Sequence, residues 1–249
     1  MKIGKILGID IALDWSVLIL VLMLFNGLNN MFTVKLAEFI PAVAITATCI
    51  TILGLLASIL AHELGHAYVG QKFGLTFHSI TLHAFGGAAN MSSRMPSAKG
   101  EFFIAIAGPV VSVVLGVLLG FTSIGAIYAF RDTVPGLALF VFRVLSVLSA
   151  INISLGIFNM IPAFPLDGGR VLRSAVWKYT GSYLKATEIA AKTGFVFGSG
   201  LVGCGGLMAF GIDVPMFGVG LGDGIWLAVI GLLVLMMARN EVRGARLGA

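Results

Sequence analysis

Apolar residues run through this chain in long blocks, not at the alternating or three-to-four-residue spacing of a half-buried element. Blocks near Trp15 to Asn29, Phe39 to Gln71, Phe102 to Ile124, Leu137 to Ile161, Ala186 to Phe210 and Ile225 to Ala238 are predicted as membrane-spanning helices, separated by charged or proline- and glycine-rich joints. The first and last are short for a hydrocarbon core of about 30 Å. Two segments carry a different pattern. Lys2 to Asp14 alternates loosely between apolar and charged residues and predicts a strand or hairpin at the interface. Leu75 to Met91 alternates around Thr, Phe and Ile and then reaches a Gly-Gly pair, which predicts strands with a tight turn or bulge. Irregular backbone at membrane depth is tolerated only beside protein or water, so a segment dipping there implies a cavity.

Composition agrees. Of 249 residues, 58% are hydrophobic and 11% charged, against about a quarter charged in a soluble domain. A mean hydropathy of +1.03 excludes disorder as well. The predicted fold class is an all-α polytopic membrane protein of about six transmembrane helices. A short membrane-associated β-region lies between helices 2 and 3, and another near the N-terminus. Residues 1–249 are expected to form a single transmembrane domain, with no room for a sizeable soluble one.

The net charge of +5 comes with no run of basic residues, so no nucleic-acid partner is expected and a topological reading is preferred. With the N-terminus inside, thirteen Lys and Arg fall on the cytoplasmic side and only Lys35 and Arg131 on the other. That bias predicts both termini in the cytoplasm. Arg143 lies within the fourth span, about 9 Å from its start, and is expected to snorkel outward. Cys49 and Cys204 sit singly in apolar stretches and are read as small buried hydrophobes.

The chemistry concentrates in His62-Glu63-Leu64-Gly65-His66, inside the second span. Imidazoles four apart on a helix share one face and can bind one zinc ion, and Glu63 between them can reach a metal-bound water. With four His and five Glu in the chain, HExxH arises by chance roughly once in a thousand such sequences. Three ionisable groups at membrane depth are costly and mark function. A catalytic zinc needs a third protein ligand and an open position. Asp167 is the best candidate, in Asn159-Met160-Ile161-Pro162-Ala163-Phe164-Pro165-Leu166-Asp167-Gly168-Gly169, where two prolines break the helix and two glycines permit a sharp turn. With Lys72 at the cytoplasmic boundary, His66 and His62 lie roughly 9 and 15 Å inward, and the fourth span runs toward that side. His78 and His83 are alternative third ligands. Five apart on a strand, they point to opposite faces and cannot both address one metal.

These residues resemble the site-2 protease family of intramembrane zinc metalloproteases. The match covers the Gly-Ile-Asp-Ile segment before the first span, His62 to His66, Phe85-Gly86-Gly87, Ala107-Gly108-Pro109, and Asn159 to Gly169 with Arg170 following. The resemblance implies one Zn²⁺ per chain held by His62, His66 and Asp167, with Glu63 as catalytic base. Asn159 is implied to position substrate or stabilise charge. It implies a multi-pass protein of a prokaryotic cell membrane, whose zinc lies inside the lipid bilayer near the cytoplasmic face and whose partner is a transmembrane protein substrate. The chain departs from many relatives in lacking PDZ and CBS domains. The strand ending at Phe85, Gly86 and Gly87 is a candidate substrate-binding element, holding an unwound substrate by β-augmentation.

Rival readings fail or remain testable. Gly220-Leu221-Gly222-Asp223 matches the GxGD motif of aspartyl proteases, but the partner Tyr-Asp is missing. Phe197-Gly198-Ser199-Gly200 lacks the first glycine of a rhomboid-like site, and no histidine follows residue 83. The alternative from another class is a metal-binding transporter or channel, since polar groups at membrane depth also mark ion paths. Such a protein gains little from Glu63 beside an open metal position.

Overall fold

A computed structural model of the chain describes residues 1–37, 39–84, 86–91, 95, 97–215 and 220–247. In chain order the elements are β1 (Lys2–Ile6), β2 (Ile9–Leu13), α1 (Val17–Lys35), α2 (Pro41–Lys72), β3 (Phe77–His83), β4 (Gly86–Met91), α3 (Ala98–Phe130), α4 (Pro135–Asn159), α5 (Asp167–Thr180), α6 (Tyr183–Ala209) and α7 (Leu221–Leu247). They divide into two compact units, Met1–Pro96 with Ala107–Ile157 and Ser97–Ile106 with Phe158–Ala249.

In the first unit the four strands form one sheet in the order β1-β2-β3-β4. β1 and β2 are an antiparallel hairpin turning at Leu7-Gly8, both at positive φ, the backbone that a two-residue turn between twisted strands requires. β2 runs parallel to β3, with Asp10 opposite Ser79, a pairing that needs the long crossover supplied by α1 and α2. β4 returns antiparallel to β3 and forms the sheet's edge. Period-two alternation buries Ile9 and Ile11 of β2 with Ile80 and Leu82 of β3 on one face, and Phe77, beyond an irregularity in the β3–β4 pairing, is buried as well. α2 carries Gly70 where it crosses β3, and a Cβ there would lie 2.6 Å from the Phe77 ring.

Phe32 and Leu36 at the end of α1 pack with Ala44 and Ala47 of α2 and Val144 and Leu148 of α4. Polar side chains in these apolar helices satisfy themselves locally. Thr48 donates to the Ala44 carbonyl at 2.9 Å, Thr51 to Ala47 at 2.8 Å and Ser58 to Gly54 at 2.8 Å. α3 meets α4 through small residues, with Ser149 donating to the Gly116 carbonyl at 2.7 Å and Gly156 lying against Pro109 and Val113.

In the second unit α6 and α7 are an antiparallel pair in close approach. A Cβ on Gly205 would lie 2.5 Å from the Gly224 carbonyl, and one on Gly231 would lie 2.7 Å from that of Gly198. Phe164, in the loop before α5, is buried with Ala190, Ala191 and Ala238.

The mainly helical architecture with its small sheet agrees with the sequence reading, but the count of six spans is not confirmed. Among the described residues five helices, α1 to α4 and α7, are long and apolar enough to cross a membrane. α6 is as long, but glycines at 194, 198, 200, 203, 205 and 206 dilute its hydropathy. Gly86-Gly87 opens β4 instead of ending a strand. α5 was not anticipated, because its charges and the preceding prolines read as a joint. Arg143 is half-buried, its guanidinium 5.8 Å from the neighbouring Phe142 ring centre. Cys49 is exposed on α2 instead of buried.

Candidate metal centre

His62 and His66 occupy successive turns of one α2 face, and both are buried. Their Nε2 atoms approach to 3.1 Å. Two nitrogens each 2.0–2.1 Å from one tetrahedral zinc are roughly 3.3 Å apart, so the imidazoles converge as a zinc site requires. The Nδ1 atom of His62 lies 2.9 Å from Ser112 Oγ on α3. When Nδ1–H donates to that hydroxyl, the tautomer leaves the Nε2 lone pair free for a metal.

The space before the two Nε2 atoms is kept open by Gly108. A Cβ there would lie 2.3 Å from His66 Nε2 and 2.6 Å from His62 Nε2. A side chain at position 108 could not share that volume with the rings, whereas a zinc ion could. Gly108, Ser112, Gly116 and Gly120 recur every four residues along one face of α3, the polar Ser112 standing where glycine otherwise repeats.

Glu63, half-buried between the histidines, reaches the edge strand. A Cβ on Gly87 would lie 2.4 Å from its Cγ, so the carboxylate arm fills the place of a β4 side chain. Gly86, with φ +121°, takes a conformation that glycine alone adopts readily. Phe85 lies outside the described residues. Of the remaining histidines, His78 is exposed and His83 half-buried on β3.

Asp167 and Asn159 belong to the second unit. Asp167 is the first residue of α5 and is buried, with Arg170 Nη1 4.0 Å away. A carboxylate at a helix N-terminus is favoured by the helix dipole. The two following glycines are dictated by backbone. A Cβ at Gly168 would lie 2.3 Å from the carbonyl oxygens of Met160 and Ile161, and one at Gly169 would lie 2.6 Å from Phe164 N. The loop after Asn159 therefore folds back onto the first turn of α5, which fixes where Asp167 begins it.

α5 is anchored by a buried arginine that sequence reading passed over as a topological charge. Arg173 Nε donates to Glu101 of α3 at 2.7 Å, and its Nη1 donates to Glu241 of α7 at 2.9 Å. The guanidinium lies 4.8 Å from the ring centres of both Phe164 and Tyr183. Burial pulls the Arg173 pKa down, but Glu101, Tyr183 and Glu241 more than offset it, so it rises above its ordinary value. For the Tyr183 hydroxyl burial acts in the opposite sense and raises its pKa, against the opposing charge of Arg173.

The pattern of Peptidase family M50 matches residues 50–133 and 127–201. Rip3 of Mycobacterium tuberculosis is 35% identical over 249 residues, covering 96% of this chain and 58% of that protein. "Zinc metalloprotease MJ0392" of Methanocaldococcus jannaschii is 44% identical over 140 residues, 56% of this chain and 38% of the relative. The chain thus spans little more than half the length of these relatives, or less. Among solved structures, the site-2 protease from Methanocaldococcus jannaschii is similar at a TM-score of 0.60 and 33% identity, covering 97% of this chain and 94% of that one. The HExxH helix, the Asn159 to Gly169 segment, the apolar helices and these matches agree: the chain belongs to the M50, site-2 protease family of membrane zinc metalloproteases.

Proposed function

We propose that this chain is an intramembrane zinc endopeptidase that hydrolyses a peptide bond in or near a transmembrane segment of a membrane protein. The carrying observation is the convergence of His62 and His66 on a volume that only Gly108 leaves open, with Glu63 between them beside an edge strand. His62 and His66 would hold the ion, and Asp167 would complete the set as the acidic ligand. Zinc, when bound, polarises the scissile carbonyl and makes water acidic enough to lose a proton near neutral pH. Glu63 takes that proton and returns it to the leaving nitrogen. Ser112 holds the His62 ring in its metal-binding tautomer. Asn159, at the end of α4, orients the substrate carbonyl or stabilises the charge that develops on it.

A helical substrate hides its carbonyls in its own hydrogen bonds, so cleavage needs local unwinding. The outer edge of β4 offers unpaired backbone groups to an extended segment, and Gly86 and Gly87 let that segment approach Glu63. Phe85 adjoins this surface in sequence. The distribution of Lys and Arg supports cytoplasmic termini and a site near the cytoplasmic face of a prokaryotic cell membrane.

The test is a cleavage assay on detergent-solubilised protein with zinc counted per chain. Glu63→Gln is expected to abolish cleavage and keep zinc, and Asp167→Ala to lose both. Full zinc and activity in Asp167→Ala would overturn the ligand assignment. The transporter alternative predicts metal flux into liposomes that survives Glu63→Gln.

A further inference from the structure

Three arginines that sequence reading scattered as positive-inside charges are gathered by α7 onto one face. Arg239, Val242, Arg243 and Arg246 recur at helical spacing. Together with Leu247 and with Phe195 of α6 they line a groove of about 380 Å³. Glu241 lies on the opposite face of the same turns, where Arg173 engages it, so it does not neutralise the groove. Within the groove Arg246 is paired with Glu188 at 2.8 Å. Arg239 and Arg243 have no acidic partner among the described residues, and the Arg239 guanidinium stands 6.0 Å from the Phe195 ring centre. Three cations against one acid leave the groove net positive.

The height of this groove matters. From Gly224 to Ala238 α7 carries no charge, and its polar end begins at Arg239. Arg239 to Arg246 rises about 10 Å along the axis, comparable to the headgroup layer of one leaflet, roughly 5–8 Å. The guanidiniums therefore stand at the level of lipid phosphates. Below them the apolar floor of Phe195 and Val242 continues into exposed Val196 of α6 and into exposed Leu232 and Met236 of α7, a helix apolar enough to cross a membrane. A fork of guanidiniums above an apolar strip matches a phosphodiester above acyl chains.

We propose that the α6–α7 groove is a specific site for one anionic glycerophospholipid. Its phosphate sits between Arg239 and Arg243, and an acyl chain lies along Phe195 and Val242. The assignment is independent of the protease reading. Scattered arginines at a membrane boundary attract anionic lipid diffusely, whereas a built site retains one molecule through detergent exchange.

The full chain is exchanged into neutral detergent, supplied with phosphatidylglycerol, phosphatidylcholine or inorganic phosphate, and weighed by native mass spectrometry. One phosphatidylglycerol per chain is expected to survive washing, and phosphatidylcholine is expected to be lost. Arg239→Gln with Arg243→Gln should weaken retention about 30-fold, at roughly a factor of five per arginine. Unchanged retention in that variant, or equal retention of phosphatidylcholine, overturns the proposal. Displacement of the lipid by millimolar inorganic phosphate would assign the groove to free phosphate instead. Should the double variant fail to fold, the wild type decides: retention must fall between 0.1 and 1 M salt, and insensitivity to salt refutes a phosphate contact.

Discussion

Replacing Gly108 by alanine tests the metal centre at its tightest point. The added Cβ would lie 2.3 Å from His66 Nε2 and 2.6 Å from His62 Nε2, where ordinary contact begins at 3.4 Å, so at least one ring must retreat by about 1 Å. A retreat of that size is several times the roughly 0.2 Å tolerance of a zinc–ligand bond. The obstructed atoms are the ends of side chains, so the helices need not move. The cost to folding should stay within the 1–3 kcal/mol typical of overpacking. Zinc affinity should fall by at least about 100-fold, the upper end of what losing an outer-shell partner causes. Zinc per chain, chelator competition and thermal melting on the same purified sample separate the two effects. Gly108→Ala with wild-type zinc and a normal melt would show that the imidazoles do not aim at the volume before Gly108, and the site would have to be redrawn.

Ser112→Ala removes the hydroxyl beside His62 Nδ1 and is expected to weaken zinc 10–100-fold by chelator competition while helicity is preserved. Gly87→Ala drives a methyl into the Glu63 arm, so cleavage should fall at least 10-fold with zinc per chain unchanged; loss of zinc would mean that β4 supports the metal instead. Arg173→Met strands Glu101 and should cost about 3–5 kcal/mol in denaturation, and adding Glu101→Leu should recover much of it. In the N-terminal hairpin, a hydrogen bond from Lys2 holds the Asp10 pKa below 3.8. A depressed carboxyl stabilises above its unfolded pKa and loses that contribution as pH falls through the folded one. The protection of β1 amides, measured relative to their intrinsic exchange rate at each pH, should therefore fall below about pH 3.8 and receive a constant contribution from this pair above it.

The legible part of this protein was the part written in single residues or long runs. Apolar blocks announced the helices, since hydrocarbon thickness sets a length that composition alone can meet. His62, Glu63 and His66 announced themselves because helical spacing converts a five-residue string directly into a shared face. Alternation around residues 2–14 and 75–91 gave the sheet, but not its order, because the parallel β2–β3 pairing joins segments more than sixty residues apart. α6 was read as a span from its apolar residues, although its glycines leave its hydropathy below that of the other five helices. Gly198 and Gly205 serve packing, since each lets the α7 backbone approach where a side chain would intervene, whereas Gly200, Gly203 and Gly206 face open space.

What stayed hidden depends on partners from distant segments. Ser112 looks like any serine in an apolar helix until α3 lies beside α2, although its place in a stripe of glycines at four-residue spacing was a signal available in the sequence. Gly108 was visible as part of a motif, but its role follows from empty space, which no string of residues displays. Arg173 was the costliest omission. It was counted as one of many cytoplasmic charges, yet it is buried between Glu101, Glu241 and two rings at the core of the second unit. A topological tally treats every arginine alike, while burial separates them. Arg173 anchors the helix that Asp167 begins, whereas Arg239 and Arg243 remain at the surface with no carboxylate partner among the described residues. The same charge thus holds the protein together in one place and leaves it open to lipid in another, and only the fold distinguishes the two.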